Sequence, residues 1–143
     1  MSIELPFAPV DAIIRKHADD LRVSADAAEA LAHHIQDHGA DLAVAAAEKA
    51  TAEGRKTLMA GDFGISTKPD SDELTLPIAP VDRIARLKID DQYRVSRDAR
   101  LALAKELESY AGEIADAAAV LARHAGRRTI QAEDIETYFE LME

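Results

Sequence analysis

The chain has no cysteine and no tryptophan in its 143 residues, and aromatic side chains make up only 4% of it. Without cysteine, neither disulfides nor thiolate metal sites are available. With so few aromatics, any core must be built from aliphatic side chains, alanine prominent among them. No stretch is long and apolar enough to span a membrane, and Met1-Ser2-Ile3-Glu4 is not a basic segment leading into an apolar run. The sequence therefore predicts a soluble, intracellular protein with no membrane partner. Phosphate-binding glycine loops, nucleophile–base arrangements and cofactor motifs are also missing, so no enzymatic activity and no cofactor are expected. Basic charge is in short supply: 17 Lys/Arg stand against 27 Asp/Glu, a formal net charge of -10. Residues 1–70 and 71–143 each carry -5. This balance argues against loose adhesion to nucleic acid, leaves room for a local basic track, and suits a salt-rich cell.

What the chain does have is a repeat. Leu5-Pro6-Phe7-Ala8-Pro9-Val10-Asp11 returns as Leu76-Pro77-Ile78-Ala79-Pro80-Val81-Asp82, an offset of 71. Arg22-Val23-Ser24 returns as Arg94-Val95-Ser96, and Gly54-Arg55-Lys56-Thr57 as Gly126-Arg127-Arg128-Thr129, both at 72. Ordered markers at near-constant spacing indicate internal duplication. A unit of about 70 residues is marginal for an independent core, so the two copies are expected to share one. The expected division is 1–63 for the first copy, 64–75 for an irregular linker containing Gly64, Pro69 and Ser71, and 76–143 for the second.

Each copy reads as short, long and short helices. Pro9 and Pro80 suit a first helical turn. Val10, Ile13, Ile14 and His17 then follow helical spacing, as Val81, Ile84, Ala85 and Leu87 do less cleanly. Ser24 and Ser96 are good caps for helices of roughly 28 residues, or about 40 Å. Their apolar faces are Ala28, Leu31, Ile35, Leu42, Ala45 and Ala46 in the first, and Leu103, Leu107, Ala111, Ile114, Ala118 and Leu121 in the second. Gly54 and Gly126 stop them. Thr129 is expected to cap a last helix carrying Ile130, Ile135, Tyr138, Phe139 and Met142 on its apolar side. Its counterpart, starting at Thr57, meets Gly61 and Gly64 and is predicted to last only one to two turns. Val23 and Leu58 are apolar residues within loops, which predicts very short strands pairing between copies. That pairing brings Arg22 near Arg127-Arg128-Thr129 and Arg94 near Arg55-Lys56-Thr57.

These residues resemble the archaeal histones, and in particular the fused histone doublets of halophilic archaea. The resemblance rests on Leu76 to Arg83, on Arg94-Val95-Ser96, and on the run Ala122-Arg123-His124-Ala125-Gly126-Arg127-Arg128-Thr129-Ile130-Gln131-Ala132-Glu133-Asp134-Ile135-Glu136, with a looser first copy. It implies an all-α tandem histone fold: two helix–loop–helix–loop–helix copies clasped in an intramolecular handshake pseudo-dimer. It also implies a non-enzymatic, cytoplasmic, chromosome-associated protein that binds, bends or compacts double-stranded DNA. The family's paired-loop DNA contacts fall on Arg22, Lys56 and Thr57 in the first copy, and on Arg94, Arg128 and Thr129 in the second. First-helix contacts match Arg83 and Arg86, but only Arg15 in the first copy, where Ala12 replaces an arginine. A structural brace matches Arg55 with Asp62 and Arg127 with Asp134. Asp11 and Asp82 depart from the family pattern, and an acidic group there competes with phosphate.

The family's dimers join through a polar pair matched by His124 and Asp134, whereas the first copy offers Ala52 and Asp62. The resemblance thus implies that two chains associate through their second copies. A rival reading is a histone-fold interaction module for transcription-related proteins, with weak or no DNA binding. His33, His34, Asp37, His38 and Asp41 are the best candidates for a divalent metal site, His34 and His38 being one turn apart. The equivalent second-copy positions are Glu106 and Tyr110, so solvated histidines on a long helix are expected and no metal. Asp19-Asp20 and Asp90-Asp91 read as hydrated acidic faces.

Overall fold

Two helices of 28 residues form the spine: α2, Ala25–Ala52, and α4, Arg97–His124. Their first residues lie one 72-residue repeat apart. The computed structural model describes residues 2–65 and 70–143. Before the long helices come α1, Phe7–His17, with β1, Arg22–Val23, and α3, Ile78–Ala85, with β3, Arg94–Val95. After them come β2, Thr57–Leu58, with a 3-10 turn at Ala60–Phe63, and β4, Thr129–Ile130, with α5, Ala132–Met142. A further 3-10 turn, Ser71–Glu73, precedes α3; Pro69 of the expected linker lies outside the described residues.

Both long helices begin at a serine that accepts from the backbone N–H three residues on, 3.2 Å at Ser24 and 3.1 Å at Ser96. Both end in the same way. Gly54 and Gly126 take φ of 75° and 73°, and the next residue's N–H turns back to the helix, Arg55 to the Ala50 carbonyl at 2.8 Å and Arg127 to that of Ala122 at 3.0 Å. Glycine adopts this left-handed cap without a Cβ penalty. The turn leaves Arg55 and Arg127 at matching places outside the helix ends.

The core lies between the long helices and under the short ones. α1 and α3 each pack on both α2 and α4, as do α5 and the first 3-10 turn, so every short element touches the other copy. Val10, Ile14, Leu31, Ile35, Leu58, Ile84, Leu103, Leu107, Ile114, Ile130 and Ile135 are fully buried in one cluster. Small residues let the backbones approach. A Cβ at Gly39 would come 2.8 Å from Ile84 Cγ2 and 3.1 Å from Leu107 Cδ1. This is the handshake: a tandem pair of histone-fold units sharing one core.

The loop strands pair between copies and are parallel. β1 lies on β4 with Arg22 opposite Thr129, and β2 lies on β3 with Thr57 opposite Arg94. Three local expectations change. Thr129 is not a cap but a strand residue, as a β-branched side chain favours, and Gln131 precedes α5. Thr57 is likewise in a strand, and the turn after it starts at Ala60. Ala45 and Met142 face solvent, and Leu42 and Leu121 are only half-buried, while the buried seam of the long helices runs on through Ala43, Ala46 and Ala50 and through Ala118, Ala119 and Ala122.

Candidate nucleic-acid interface

Parallel pairing builds two equivalent loop sites. In one, the Arg22 N–H donates to the Arg128 carbonyl at 2.8 Å and the Ser24 N–H to that of Ile130 at 3.0 Å. In the other, Arg94 donates to Lys56 at 2.8 Å and Ser96 to Leu58 at 3.0 Å. Val23, Leu58, Val95 and Ile130 anchor the strands from below, all buried. The alternation of a strand then turns Arg22 and Arg94 outward, both exposed. Arg128 and Lys56, exposed as well, stand one residue before Thr129 and Thr57, which are half-buried. Each site thus gathers two cations and a threonine. Arg22, Arg94 and Arg128 make no side-chain ion pair or hydrogen bond among the described residues. Lys56 Nζ lies 5.2 Å from the Tyr93 ring centroid, and the Tyr93 hydroxyl bonds Thr51 Oγ1.

Beside each site an arginine is already engaged. Arg55 makes two parallel hydrogen bonds to Asp62, at 2.8 and 2.9 Å, donates to the Thr57 carbonyl at 2.9 Å and also meets Glu53. Arg127 repeats this with Asp134 at 2.6 and 2.7 Å and the Thr129 carbonyl at 3.1 Å. The aspartates also accept N–H groups, Met59 at 2.7 Å and Gln131 at 2.8 Å. These bonds raise the Arg55 and Arg127 pKa values, and the Arg55 guanidinium holds the buried Asp62 carboxyl below its ordinary range. Both forks fix loop shape and present little free donor capacity.

The first-helix cations differ from the loop cations. Arg15 pairs with Asp11 at 2.7 Å, Arg83 with Glu4 at 2.9 Å, and Arg86 with Asp82 at 3.1 Å. Arg86 also donates to the Tyr93 carbonyl at 3.3 Å. Of the two residues expected at a contact between chains, His124 is exposed, and Asp134 is 2% exposed with both oxygens engaged by Arg127.

Several residues with roles escaped the sequence reading. Gln36, 2% exposed, accepts the Glu4 N–H at 2.7 Å and donates to the Ser2 carbonyl at 3.0 Å. Its repeat-mate Glu108 takes the Leu76 N–H at 2.6 Å. Each long helix therefore ties down the strand of chain entering its own copy. The signal was available: a polar residue at the same repeat position in an otherwise apolar face. Arg100 reaches Asp82 at 3.2 Å and Arg97 is exposed beside β3. Two of the three α2 histidines, His34 and His38, turn to aromatics, while His33 is exposed. His34 stacks on Phe139 at 3.7 Å and bonds Glu136 at 3.0 Å, and His38 stacks on Tyr110 at 3.8 Å. Burial lowers the His38 pKa. Among the described residues no group of three or more His, Asp or Glu is placed to hold a metal, and no helix is long and apolar enough to cross a membrane.

Comparison with known proteins agrees with this geometry. The family described as histone-like transcription factor (CBF/NF-Y) and archaeal histone matches residues 3–65 and again 74–137. A chain of the archaeal histone HAN1 from Thermococcus zilligii is 53% identical over 60 residues, which is 42% of this chain and 87% of that protein. The crystal structure of the histone from Methanopyrus kandleri superposes with a TM-score of 0.68 at 27% identity, over 92% of this chain and 91% of that one. A Thermus thermophilus protein shares the fold alone, with a TM-score of 0.70 at 17% identity over 98% and 99% of the two chains. Matched twice along its length, the chain belongs to the family of histone-like transcription factors and archaeal histones, and is a non-enzymatic, DNA-binding, chromatin-associated protein.

Proposed function

We propose that the chain is a fused histone doublet that holds double-stranded DNA by its two paired-loop sites, with Arg22, Arg128 and Thr129 gripping one phosphate track and Arg94, Lys56 and Thr57 the other. One observation carries this reading: strand pairing sets an arginine of one copy, unengaged among the described residues, beside a cation and a threonine of the other, twice. Guanidinium forks take two phosphate oxygens at once, and hydroxyls fix register, so the contacts position DNA without reading its sequence. Arg15, Arg83 and Arg86, the first-helix cations of the family pattern, are each paired with a carboxylate of the chain and stand outside this grip, and the Arg55–Asp62 and Arg127–Asp134 braces hold the loops in shape. Residues 1–63 and 76–143 act as the two halves of the grip, joined by 64–75, and the protein works on the nucleoid of a salt-rich archaeal cell.

The decisive measurement is binding to mixed-sequence duplex DNA from about 0.1 M to 3 M KCl, beside the quadruple variant Arg22→Ala, Lys56→Ala, Arg94→Ala and Arg128→Ala, with folding checked by circular dichroism throughout. Counterion release makes affinity fall with salt, and at about 1 M the Debye length is only ~3 Å, so contact-range bonds decide what survives. The wild type binds and the variant does not if the reading is right. A folded wild type that ignores DNA at every salt concentration instead favours the interaction module for transcription-related proteins, a role the acidic surface suits.

Assembly belongs to the same reading. Val120, near the end of α4, and Leu141 and Met142, at the end of α5, are apolar residues of the second copy that are 62–69% exposed, and His124 is exposed as well. The first copy has Glu48 at the position of Val120, and only a 3-10 turn in place of α5. Two chains joining through their second copies cover these apolar residues and leave the first copies without an equivalent contact.

A further inference from the structure

The cations of this chain fall into two groups by what they touch. Among the described residues the loop arginines Arg22, Arg94 and Arg128 make no side-chain ion pair or hydrogen bond, while the first-helix arginines each sit on a carboxylate of the chain. In both copies one such carboxylate occupies the same repeat position, four residues before its arginine: Asp11 for Arg15 and Asp82 for Arg86. Helical spacing alone allows this contact. The burial is less ordinary. The Asp11 side chain is 16% exposed under an Arg15 that is 57% exposed, and Asp82 is 22% exposed under an Arg86 at 40%. One oxygen of each, Oδ1, is fully buried and accepts no hydrogen bond among the described residues; Asp82 Oδ1 has only Arg100 Nε at 3.2 Å, out of alignment.

This geometry makes the pairs self-limiting. A phosphate that recruits Arg15 or Arg86 must draw the guanidinium away from a largely sheltered carboxylate. Asp11 is then left without its counter-ion and its second oxygen has no donor to turn to, while Asp82 keeps only the misaligned Arg100. Stranding a buried charge costs more than an exposed ion pair gains, so the exchange is unfavourable. No such cost attaches to Arg22, Arg94 or Arg128.

We propose that Asp11 and Asp82 are affinity-setting residues: they act as internal stand-ins for phosphate on the first helices, hold Arg15 and Arg86 out of the DNA contact, and confine the footprint to the paired loops. The inference rests on the DNA-binding reading above and deepens it. It gives the acidic residues at these positions a purpose, a histone-type grip that stays weak and releasable at the centre while its loop ends remain armed.

The test is a salt titration of duplex binding with four proteins: wild type, Asp11→Asn with Asp82→Asn, a control removing the same charge elsewhere (Asp37→Asn with Glu140→Gln), and the quadruple loop alanine variant. Two freed arginines add two phosphate contacts, so the slope of log K against log salt steepens by about 2 in the double asparagine variant, and its Kd at low salt falls roughly tenfold below the control. Asp11 and Asp82 variants matching the control in both quantities overturn the inference, while loss of binding in the loop variant leaves the wider reading standing. No binding by wild type or asparagine variant overturns both. If the asparagine variant does not fold, Arg15→Ala with Arg86→Ala answers the question in the wild-type background. Engaged arginines predict less than about a threefold loss of affinity; a tenfold loss shows them already on phosphate and sinks the proposal.

Discussion

Asp62 and Asp134 each close a loop by answering three donors at once: two from an arginine fork and one from the backbone N–H three residues before. A buried carboxylate is stable only with such partners. At Asp62 the linkage has a definite sign. Its folded-state pKa is depressed, first by the Arg55 hydrogen bond and then by the Met59 N–H, against the cost of burial. The stability it contributes is therefore fully present above the unfolded value of about 4 and is lost as pH falls through the lower folded value. Asp62→Asn should lower the urea midpoint at pH 6, and the gap from wild type should shrink by pH 3. The comparison must be made as a difference, because acidification from pH 6 to pH 3 also carries the chain through its pI of about 4.9 to a net positive charge with its own self-repulsion. A gap that stays constant from pH 6 to pH 3 shows that Asp62 acts by shape alone.

At the scale of elements, the close approach of helices is a sharper constraint than helix propensity. Replacing a mid-helix glycine by alanine ordinarily gains about 1 kcal/mol. At Gly39 the new Cβ meets Ile84 Cγ2 at 2.8 Å, a β-branched methyl held by its own backbone, with Leu107 behind it. Overpacking of this kind costs about 1–3 kcal/mol, so Gly39→Ala should lower stability on balance. A denaturant curve with an unchanged or higher midpoint would mean that α3 slides freely over α2. The repeat explains how much of this was legible. Ser24 and Ser96, Gly54 and Gly126, and the apolar residues inside the loops are local signals, so the limits of the long helices and the pairing of loops between copies could be read from the chain, though not its parallel sense. The meeting of Arg22 with Arg128 and Thr129, and of Arg94 with Lys56 and Thr57, followed from that pairing. The failures have tertiary causes. Thr57 and Thr129 have the chemistry of caps, but a partner strand claims each of them. The Gln36 and Glu108 anchors depend on where distant chain segments arrive, and His34 and His38 found Phe139 and Tyr110 from other elements. The Asp11–Arg15 and Asp82–Arg86 pairs were within reach of i,i+4 spacing, but sheltering of the carboxylate was not.

For the whole molecule, duplication has broken the equality of its two ends. One end keeps an 11-residue α5, and the other has a four-residue 3-10 turn. A histone unit on its own chain presents the same end wherever it stands, so its arrays are open to growth. In this chain the two ends differ: the second copy exposes Val120, Leu141 and Met142 on α4 and α5, and the first exposes Met59 beside its 3-10 turn. Exposed apolar side chains favour association, and more so at high salt, where screening removes the repulsion between chains of like charge. The proposed assembly is a closed pair, with the two second copies in contact and the loop sites of both chains available to one DNA. Val120→Glu places at the second-copy end the residue that the first copy already has at Glu48. At about 2 M KCl, light scattering should give the wild type twice the mass of one chain and Val120→Glu the mass of one. The variant's unfolding midpoint should stay within about 0.5 kcal/mol of wild type once both are monomeric, since Val120 adds nothing to the core. A wild type that is monomeric at this salt, or one whose mass climbs without limit as concentration rises, removes the closed pair from the account. Grip through the paired loops would then be the work of single chains.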